Sequence, residues 1–95
     1  MPVAIAGITT PFTLNTIAPI QIAGSNSGRT YGKIENLDYV NGVWYAFGTN
    51  NGAAKNACHW LGPRRYFEFP VGRVIQGDLS AIADAGTPII SWIEE

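Results

Sequence analysis

The chain has 95 residues, of which 46% are hydrophobic and only 14% are charged, and its formal net charge is −1. This length accommodates one domain, and the scattered charges exclude the clustered lysines and arginines of a nucleic-acid-binding surface. The single cysteine, Cys58, excludes an internal disulfide framework and favours a reducing cytoplasm. No apolar run approaches the ~20 residues that cross a bilayer, and with Arg29 as the first charged residue no signal peptide is predicted. A small domain with so little charge is expected to self-associate.

Residues 1–12 form an apolar, uncharged first segment. Within it, Val3-Ala4-Ile5-Ala6 predicts a strand, which is either an edge strand of the domain or an arm that docks on a neighbouring subunit. In the second case Val3 and Ile5 are candidate interface residues. Residues 13–95 then form a single β domain that begins with one or two short strands.

The strongest strand signal in the chain is Val43-Trp44-Tyr45-Ala46-Phe47. These β-branched and aromatic residues suit a pleated, half-buried surface. Because successive side chains of a strand point to opposite faces, we predict that Val43, Tyr45 and Phe47 point inward. Trp44 and Ala46 make the other face apolar too, so the strand is either central between two layers or offers Trp44 to a neighbour.

Asn41-Gly42, just before that strand, is typical of a tight hairpin turn with positive φ angles. The segment before the turn alternates in character, with Lys33 and Glu35 on one face and Ile34 on the other. We therefore predict that the two strands pair as a hairpin across Asn41-Gly42.

The middle of the chain gives a less regular pattern. A turn is predicted at 49–52, and 53–60 is compatible with either a one-turn helix or a loop that Gly62-Pro63 ends. Residues 65–69 predict a short strand with both phenylalanines pointing inward, and 71–77 predict another strand.

Residues 78–86 allow two interpretations. Asp78 and Gly86 are suitable start and stop residues for a two-turn helix, whereas the alternative is a strand that leads into a return strand over Ile89-Ile90-Ser91-Trp92-Ile93. We favour the hairpin, because so short a helix is marginal and the last strand needs a partner. Together these segments predict an all-β fold, a small antiparallel β-sandwich or barrel of about 6–8 short strands.

Cys58 and His59 are the only thiol and the only imidazole in the sequence. Neighbours in a strand point to opposite faces, so the pair is poorly placed for a catalytic dyad, and a buried thiol is the favoured interpretation. A small hydrolase that uses either residue stays open as an alternative. No zinc ligand set, EF-hand loop or phosphate-binding glycine-rich loop is present, so no enzyme, metal site or cofactor is predicted.

The three tryptophans suggest a different kind of binding. Exposed aromatic faces stack on sugars, so a carbohydrate-binding module is one interpretation of Trp44, Trp60 and Trp92. The favoured alternative is that Trp44 and Trp92 lie within strands and belong to the core or to a subunit interface, where tryptophan is enriched.

Two stretches of the sequence carry a resemblance. The first contains Arg29-x-Tyr31, Ile34-Glu35-Asn36 and Val43-Trp44-Tyr45-Ala46-Phe47-Gly48; the second contains Leu61-Gly62-Pro63, Tyr66-Phe67-Glu68-Phe69, and Val74-Ile75-Gln76-Gly77-Asp78-Leu79-Ser80-Ala81-Ile82-Ala83 with Gly86-Thr87. Over residues ~13–94 this order resembles small tailed-bacteriophage proteins with an R-x-Y-x-x-I-x-N strand, a Y-x-x-F-G strand and a C-terminal G-x-I-S-A-I-A-x-x-G-T hairpin. Leu79 stands where isoleucine is common, and residues 53–60 have no counterpart.

The resemblance implies a virion structural protein, often a capsid decoration or cement protein, without catalytic residues. Its expected partners are further copies of itself, as a homotrimer or else a dimer, and the major capsid protein or another virion protein. It would be assembled in the host cytoplasm and reside in the virion; tail, collar and fibre-attachment positions are alternatives. The expected interface residues are Val3 and Ile5 of the arm, Trp44, Trp92, and the rim charges Arg64, Arg65 and Glu95.

Overall fold

The computed structural model describes residues 10–48, 52–54, 56, 58–69 and 75–95. Within these ranges the chain forms β-strands and no helix. The strands are β1 (Thr10–Thr13), β2 (Ile20–Ala23), β3 (Gly32–Asn36), β4 (Val43–Gly48), β5 (His59–Leu61), β6 (Tyr66–Glu68), β7 (Asp78–Ala83) and β8 (Ile89–Glu94).

The strands form two four-stranded sheets, one with the order β1-β8-β3-β6 (sheet A) and one with the order β2-β7-β4-β5 (sheet B). The first four strands pair with the last four in nested order: β1 with β8, β2 with β7, β3 with β6, and β4 with β5, all antiparallel. The pairs β3–β8 and β4–β7 then complete the sheets. This arrangement is a jelly roll, a long antiparallel ribbon rolled into two sheets. The predicted small antiparallel β-sandwich is confirmed.

The core lies between the sheets, and burial alternates along β3 and through the first residues of β4. On β7 the inward residues Leu79, Ala81 and Ala83 are fully buried, and on β4 Val43 and Tyr45 are buried. The other core residues are Leu14, Ile22, Ala23, Ile34, Leu61, Phe69, Ile90 and Trp92, with Phe12, Ile20, Phe47 and Phe67 packed against them. The inward directions predicted for Val43, Tyr45, Phe47, Phe67 and Phe69 are therefore confirmed.

The hairpin predicted across Asn41-Gly42 is wrong. β3 lies in sheet A and β4 in sheet B, so the connection 37–42 crosses between the sheets. Among the described glycines only Gly48 and Gly86 have positive φ, so Gly42 does not form the predicted turn. A Cβ atom at Gly42 would collide with the Trp60 indole. The absence of a side chain at Gly42 therefore lets the Trp60 indole pack directly against the backbone.

The C-terminal segment is a strand, as favoured, and the helix alternative for 78–86 is wrong. However, β7 pairs with β2 and β4 in sheet B, whereas β8 pairs with β1 and β3 in sheet A. The predicted hairpin between them is therefore also wrong. The turn at 84–88, in which Gly86 has a φ of 65°, carries the chain from one sheet to the other.

Several predicted segments lie wholly or partly outside the described residues. These are the strand Val3-Ala4-Ile5-Ala6, the turn at 49–52 and the strand at 71–77. Of the last of these, only residues 75–77 are described, and they are not in a strand. For the segment 53–60 the sequence predicts a helix or a loop. Both alternatives are wrong for His59 and Trp60, which belong to β5. β1 is an edge strand of sheet A and spans the predicted boundary between 12 and 13.

Candidate interaction surface

Four connections meet at one end of the sandwich, which we call the loop end: 14–19, 37–42, 62–65 and 84–88. The register brings them together, because β1, β3, β5 and β7 all end there and β2, β4, β6 and β8 all begin there. Backbone hydrogen bonds join the loops to one another and to adjoining strand ends: Leu14 N–H to Pro88 O, Leu37 N–H to Ile89 O, Arg64 N–H to Asp38 O, and Asp84 N–H to Gly42 O, each 2.9–3.0 Å.

The connection 37–42 is shaped by polar side chains at its two ends. The Asp38 carboxylate accepts the N–H groups of Val40 and Asn41, which forms a local turn. The fully buried Asn36 amide donates to the carbonyl oxygens of Asn41 and Gly62 at 2.9 and 3.1 Å. These hydrogen bonds satisfy buried backbone groups, and they fix the position of Tyr39 and Val40 at the tip of the connection.

The tips of the loop end expose large apolar side chains. Tyr39 and Val40 are 78% and 79% exposed, and Ile17 of the neighbouring loop is 90% exposed. The Asn15 carboxamide caps the turn below Ile17 by accepting its N–H at 2.8 Å. Apolar side chains held outward on bonded turns are suited to contact with another molecule, because their burial there is favourable.

Arg64 lies beside Tyr39 in a conformation that is rare for arginine. Its φ is 58°, in the left-handed region. Three contacts hold it there: its N–H to Asp38 O, its Nη1 to Leu37 O at 3.1 Å, and its guanidinium Cζ 4.8 Å from the centroid of the Tyr39 ring. Strained backbone of this kind is concentrated at functional sites. Arginine stacked on tyrosine is also typical of interface hot spots.

Trp44 and Trp60 form a pair on the outer face of sheet B, next to the loop end. Their ring centroids lie 4.8 Å apart with planes tilted by 55°. The Trp44 indole N–H donates to the Asp84 carboxylate at 3.0 Å. Trp60 covers Gly42 and remains 49% exposed, so its other side is open to solvent.

The predicted interface residues are distributed over different parts of the molecule. Arg64 and the exposed Arg65 lie in the loop end, and the half-buried Trp44 adjoins it. Trp92 is only 4% exposed, and its ring packs 6.1 Å from Phe69; its side chain belongs to the core and has almost no surface for a partner. Val3 and Ile5 lie outside the described residues. Glu95, at the C-terminus, bonds through its backbone to Tyr31 at the opposite end.

Ile17, Tyr39 and Val40 are not among the interface residues predicted from the sequence. The available signal was the position of Tyr39-Val40 between Asp38 and Asn41-Gly42, where turn-forming residues flank two large apolar ones. Trp60 is not among the predicted interface residues either, because the sequence predicts no strand at that position.

The first resembling stretch contains residues that build the fold. Ile34 is fully buried, and Asn36 holds the connection 37–42. Arg29 is 1% exposed; its guanidinium donates to the carbonyl oxygens of Gly24, Ile75 and Gly77 at 2.8–3.0 Å and pairs with Glu94 at 3.2 Å. The R-x-Y-x-x-I-x-N pattern is therefore chiefly a structural motif.

Two ionisable side chains in this region have shifted pKa values. The Tyr31 hydroxyl donates to Glu68 at 2.6 Å, and this bond, with some burial, raises the pKa of Tyr31 to about 12. Burial raises the pKa of Glu94, but hydrogen bonds from Asn26 and Trp92 together with the positive Arg29 outweigh it, and the net pKa is lowered. Both shifts come from contacts that join the connection 24–31 to β6 and β8.

Cys58 and His59 do not contact each other through a hydrogen bond in the described structure. The Cys58 thiol donates to Ala54 O at 3.1 Å and is partly exposed, not buried as favoured from the sequence. The His59 ring lies 5.2 Å from the Tyr45 ring. Among the described residues no group of three His, Cys, Asp or Glu side chains is placed to hold a metal ion. The same ranges contain no helix long and apolar enough to cross a membrane.

The chain matches no protein-family model, no curated protein and no solved structure.

Proposed function

We propose that this protein is a structural component of a tailed-phage virion, of the capsid decoration or cement type, attached to the shell by its loop end. The observation that carries the proposal is the exposure of Tyr39 and Val40 at 78% and 79% on a turn that is fixed by hydrogen bonds. Arg64, stacked on Tyr39, adds guanidinium donors at the rim of the same surface. A pre-ordered apolar surface loses little conformational entropy on binding.

Two further considerations support a virion role. The sequence resembles small phage structural proteins, and the jelly roll occurs widely in viral capsid domains. Folds host many functions, so the jelly roll is support by analogy only. A tail, collar or fibre-attachment position would use the same surface, with fewer copies in each particle.

The test uses particles of the encoding phage that lack the protein. Purified protein is added back, the particles are sedimented, and bound copies are counted by quantitative mass spectrometry. Shell decoration predicts saturation at roughly hundreds of copies, whereas a dozen or fewer would indicate a tail or collar position.

The matched variants are Tyr39→Ser combined with Val40→Ser, and Tyr66→Ser as the control. Tyr66 is also an exposed tyrosine, at 59%, but it is the first residue of β6 and does not belong to the turn that carries Tyr39 and Val40. The double variant should raise the half-saturating concentration at least about tenfold, as expected for central apolar residues of an interface. Tyr66→Ser should bind like the unmodified protein. If the double variant binds as tightly as the unmodified protein, attachment through the loop end is contradicted.

A carbohydrate-binding module is the second candidate, and the half-exposed ring of Trp60 is the observation that favours it. A glycan array with unmodified protein and the Trp60→Ala variant tests it. Binding that depends on Trp60 would support sugar recognition; binding that persists in Trp60→Ala, or no binding at all, would count against it.

A further inference from the structure

The four edge strands of the sandwich differ in how they are protected against pairing. Natural sheets block their edges with proline, bulges or charged side chains. β1 contains Pro11, and β2 has a register shift between Gln21 and Ala23. β6 carries Glu68, with the Lys33 ammonium 4.7 Å from the Tyr66 ring centroid. β5 has the sequence His-Trp-Leu and none of these devices.

The main chain of β5 is oriented for pairing on the side away from β4, where no described strand lies beside it. The bond from Asp84 N–H to Gly42 O shows that the polar groups of Gly42 point toward β7. Because these groups alternate along an antiparallel strand, Val43 and Tyr45 point theirs toward β5. Their register partners are Leu61 and His59, so the N–H and C=O of Trp60, between those two, point away from β4.

We propose that two copies of this chain associate through β5, with the two strands antiparallel about a two-fold axis near Trp60. The N–H of each Trp60 would donate to the Trp60 carbonyl oxygen of the other copy, and the two B sheets would become one sheet of eight strands. Such an interface is self-complementary, as two-fold dimers require. The strand carries no Lys, Arg, Asp or Glu, so two identical edges bring no such charges into opposition.

The side chains favour the same pairing. Residues directly opposite each other in an antiparallel pair have Cβ atoms about 4.5–5.5 Å apart, so the two Trp60 rings would meet. The Trp44–Trp60 pair of each copy would then form a row of four indoles, covering the part of Trp60 that is now open. A three-residue strand gives an interface at the small end of the range, so we expect a reversible dimer rather than the trimer that the resemblance implies.

Sedimentation velocity over a concentration series tests the proposal with purified protein alone, whether or not the protein belongs to a virion. Trp60→Lys places a charge on the β5 edge, and Tyr66→Lys places one at a comparably exposed aromatic residue on the β6 edge. The unmodified protein and Tyr66→Lys should show a monomer–dimer equilibrium, and Trp60→Lys should raise the dimer dissociation constant at least about tenfold.

Hydrogen exchange of the unmodified protein decides the matter if Trp60→Lys does not fold. The Trp60 amide should exchange rapidly in dilute solution and become protected as the concentration rises. A protein that stays monomeric into the millimolar range, a dimer lost in Tyr66→Lys but kept in Trp60→Lys, or a Trp60 amide with unchanged exchange across the dimer transition would each overturn the proposal.

Discussion

At the scale of single residues, buried polar side chains hold connections and strands together by hydrogen bonds. Arg29 reaches the carbonyl oxygens of 24, 75 and 77 and the carboxylate of Glu94, so one guanidinium joins two connections to the last strand. Its Cζ also lies 5.4 Å from the centroid of the Trp92 ring. Arginine can do this because its planar donors point in several directions at once.

Replacing Arg29 with methionine should lower the free energy of unfolding by about 3 kcal/mol, because the Glu94 carboxylate and buried carbonyl groups lose their partner. Urea denaturation measures the change. Arg65→Met is the control, since Arg65 is exposed in the loop end, and it should change stability by less than about 0.5 kcal/mol. Similar effects for the two variants would show that the Arg29 network contributes little.

The acid stability of the protein should depend on Glu94. Its pKa is lowered in the folded state from the ordinary 4.5. The stability that its ionised form contributes is therefore present above pH ~4.5 and is lost as the pH falls through the lowered value. Urea midpoints measured from neutral pH downward should fall in this range, and Glu94→Gln should flatten the decline. An unchanged decline in Glu94→Gln would assign acid sensitivity to other carboxylates.

At the scale of elements, the connections decide which strands meet. Asn41-Gly42 and Gly86 are turn signals in the sequence, yet both connections cross between the sheets instead of closing hairpins. In the connection 37–42, side chains bind the backbone: the Asn36 amide donates to the Asn41 carbonyl oxygen, and the Asp38 carboxylate accepts the Val40 N–H. Gly42 then lies under the Trp60 ring, where a hydrogen atom fits and a methyl group does not.

Gly42→Ala should destabilise the protein by about 1–3 kcal/mol, because the added methyl group displaces the Trp60 indole. The same change in a Trp60→Ala background should have a clearly smaller effect, since the obstructing ring is gone. Denaturation of the four proteins of this double-mutant cycle measures the coupling. Additive effects would mean that Gly42 is required for a reason other than the space occupied by Trp60.

At the scale of the whole molecule, the jelly roll makes nearly every strand pair distant in sequence. Among the described strands, β4 and β5 are the one pair of consecutive strands that are neighbours in a sheet, and β1 pairs with β8 across most of the chain. Each outer pair closes a longer loop than the pair within it, and loop closure has an entropic cost before the contacts form. Folding therefore depends on contacts of long sequence separation.

This topology predicts slow folding. Refolding from urea, followed by tryptophan fluorescence in a stopped-flow instrument, should take milliseconds to seconds, the range of β-sandwiches with non-local pairing. Completion within the dead time of mixing would contradict the predicted dependence on distant pairing.

The sequence by itself determined the all-β class and the inward faces of β4 and β6, and it favoured a strand over a helix at 78–83. Alternation of side chains and β-branched or aromatic content are local properties, and both survive whatever the strands pair with. Only the tertiary structure decided the pairing partners, because turn residues are compatible with either a hairpin or a crossing between sheets. It also decided which tryptophan is available to a partner. Trp92 and Trp60 both lie in strands, but Trp92 is enclosed between the sheets while Trp60 stands on an edge, and position in the sheet is not encoded locally.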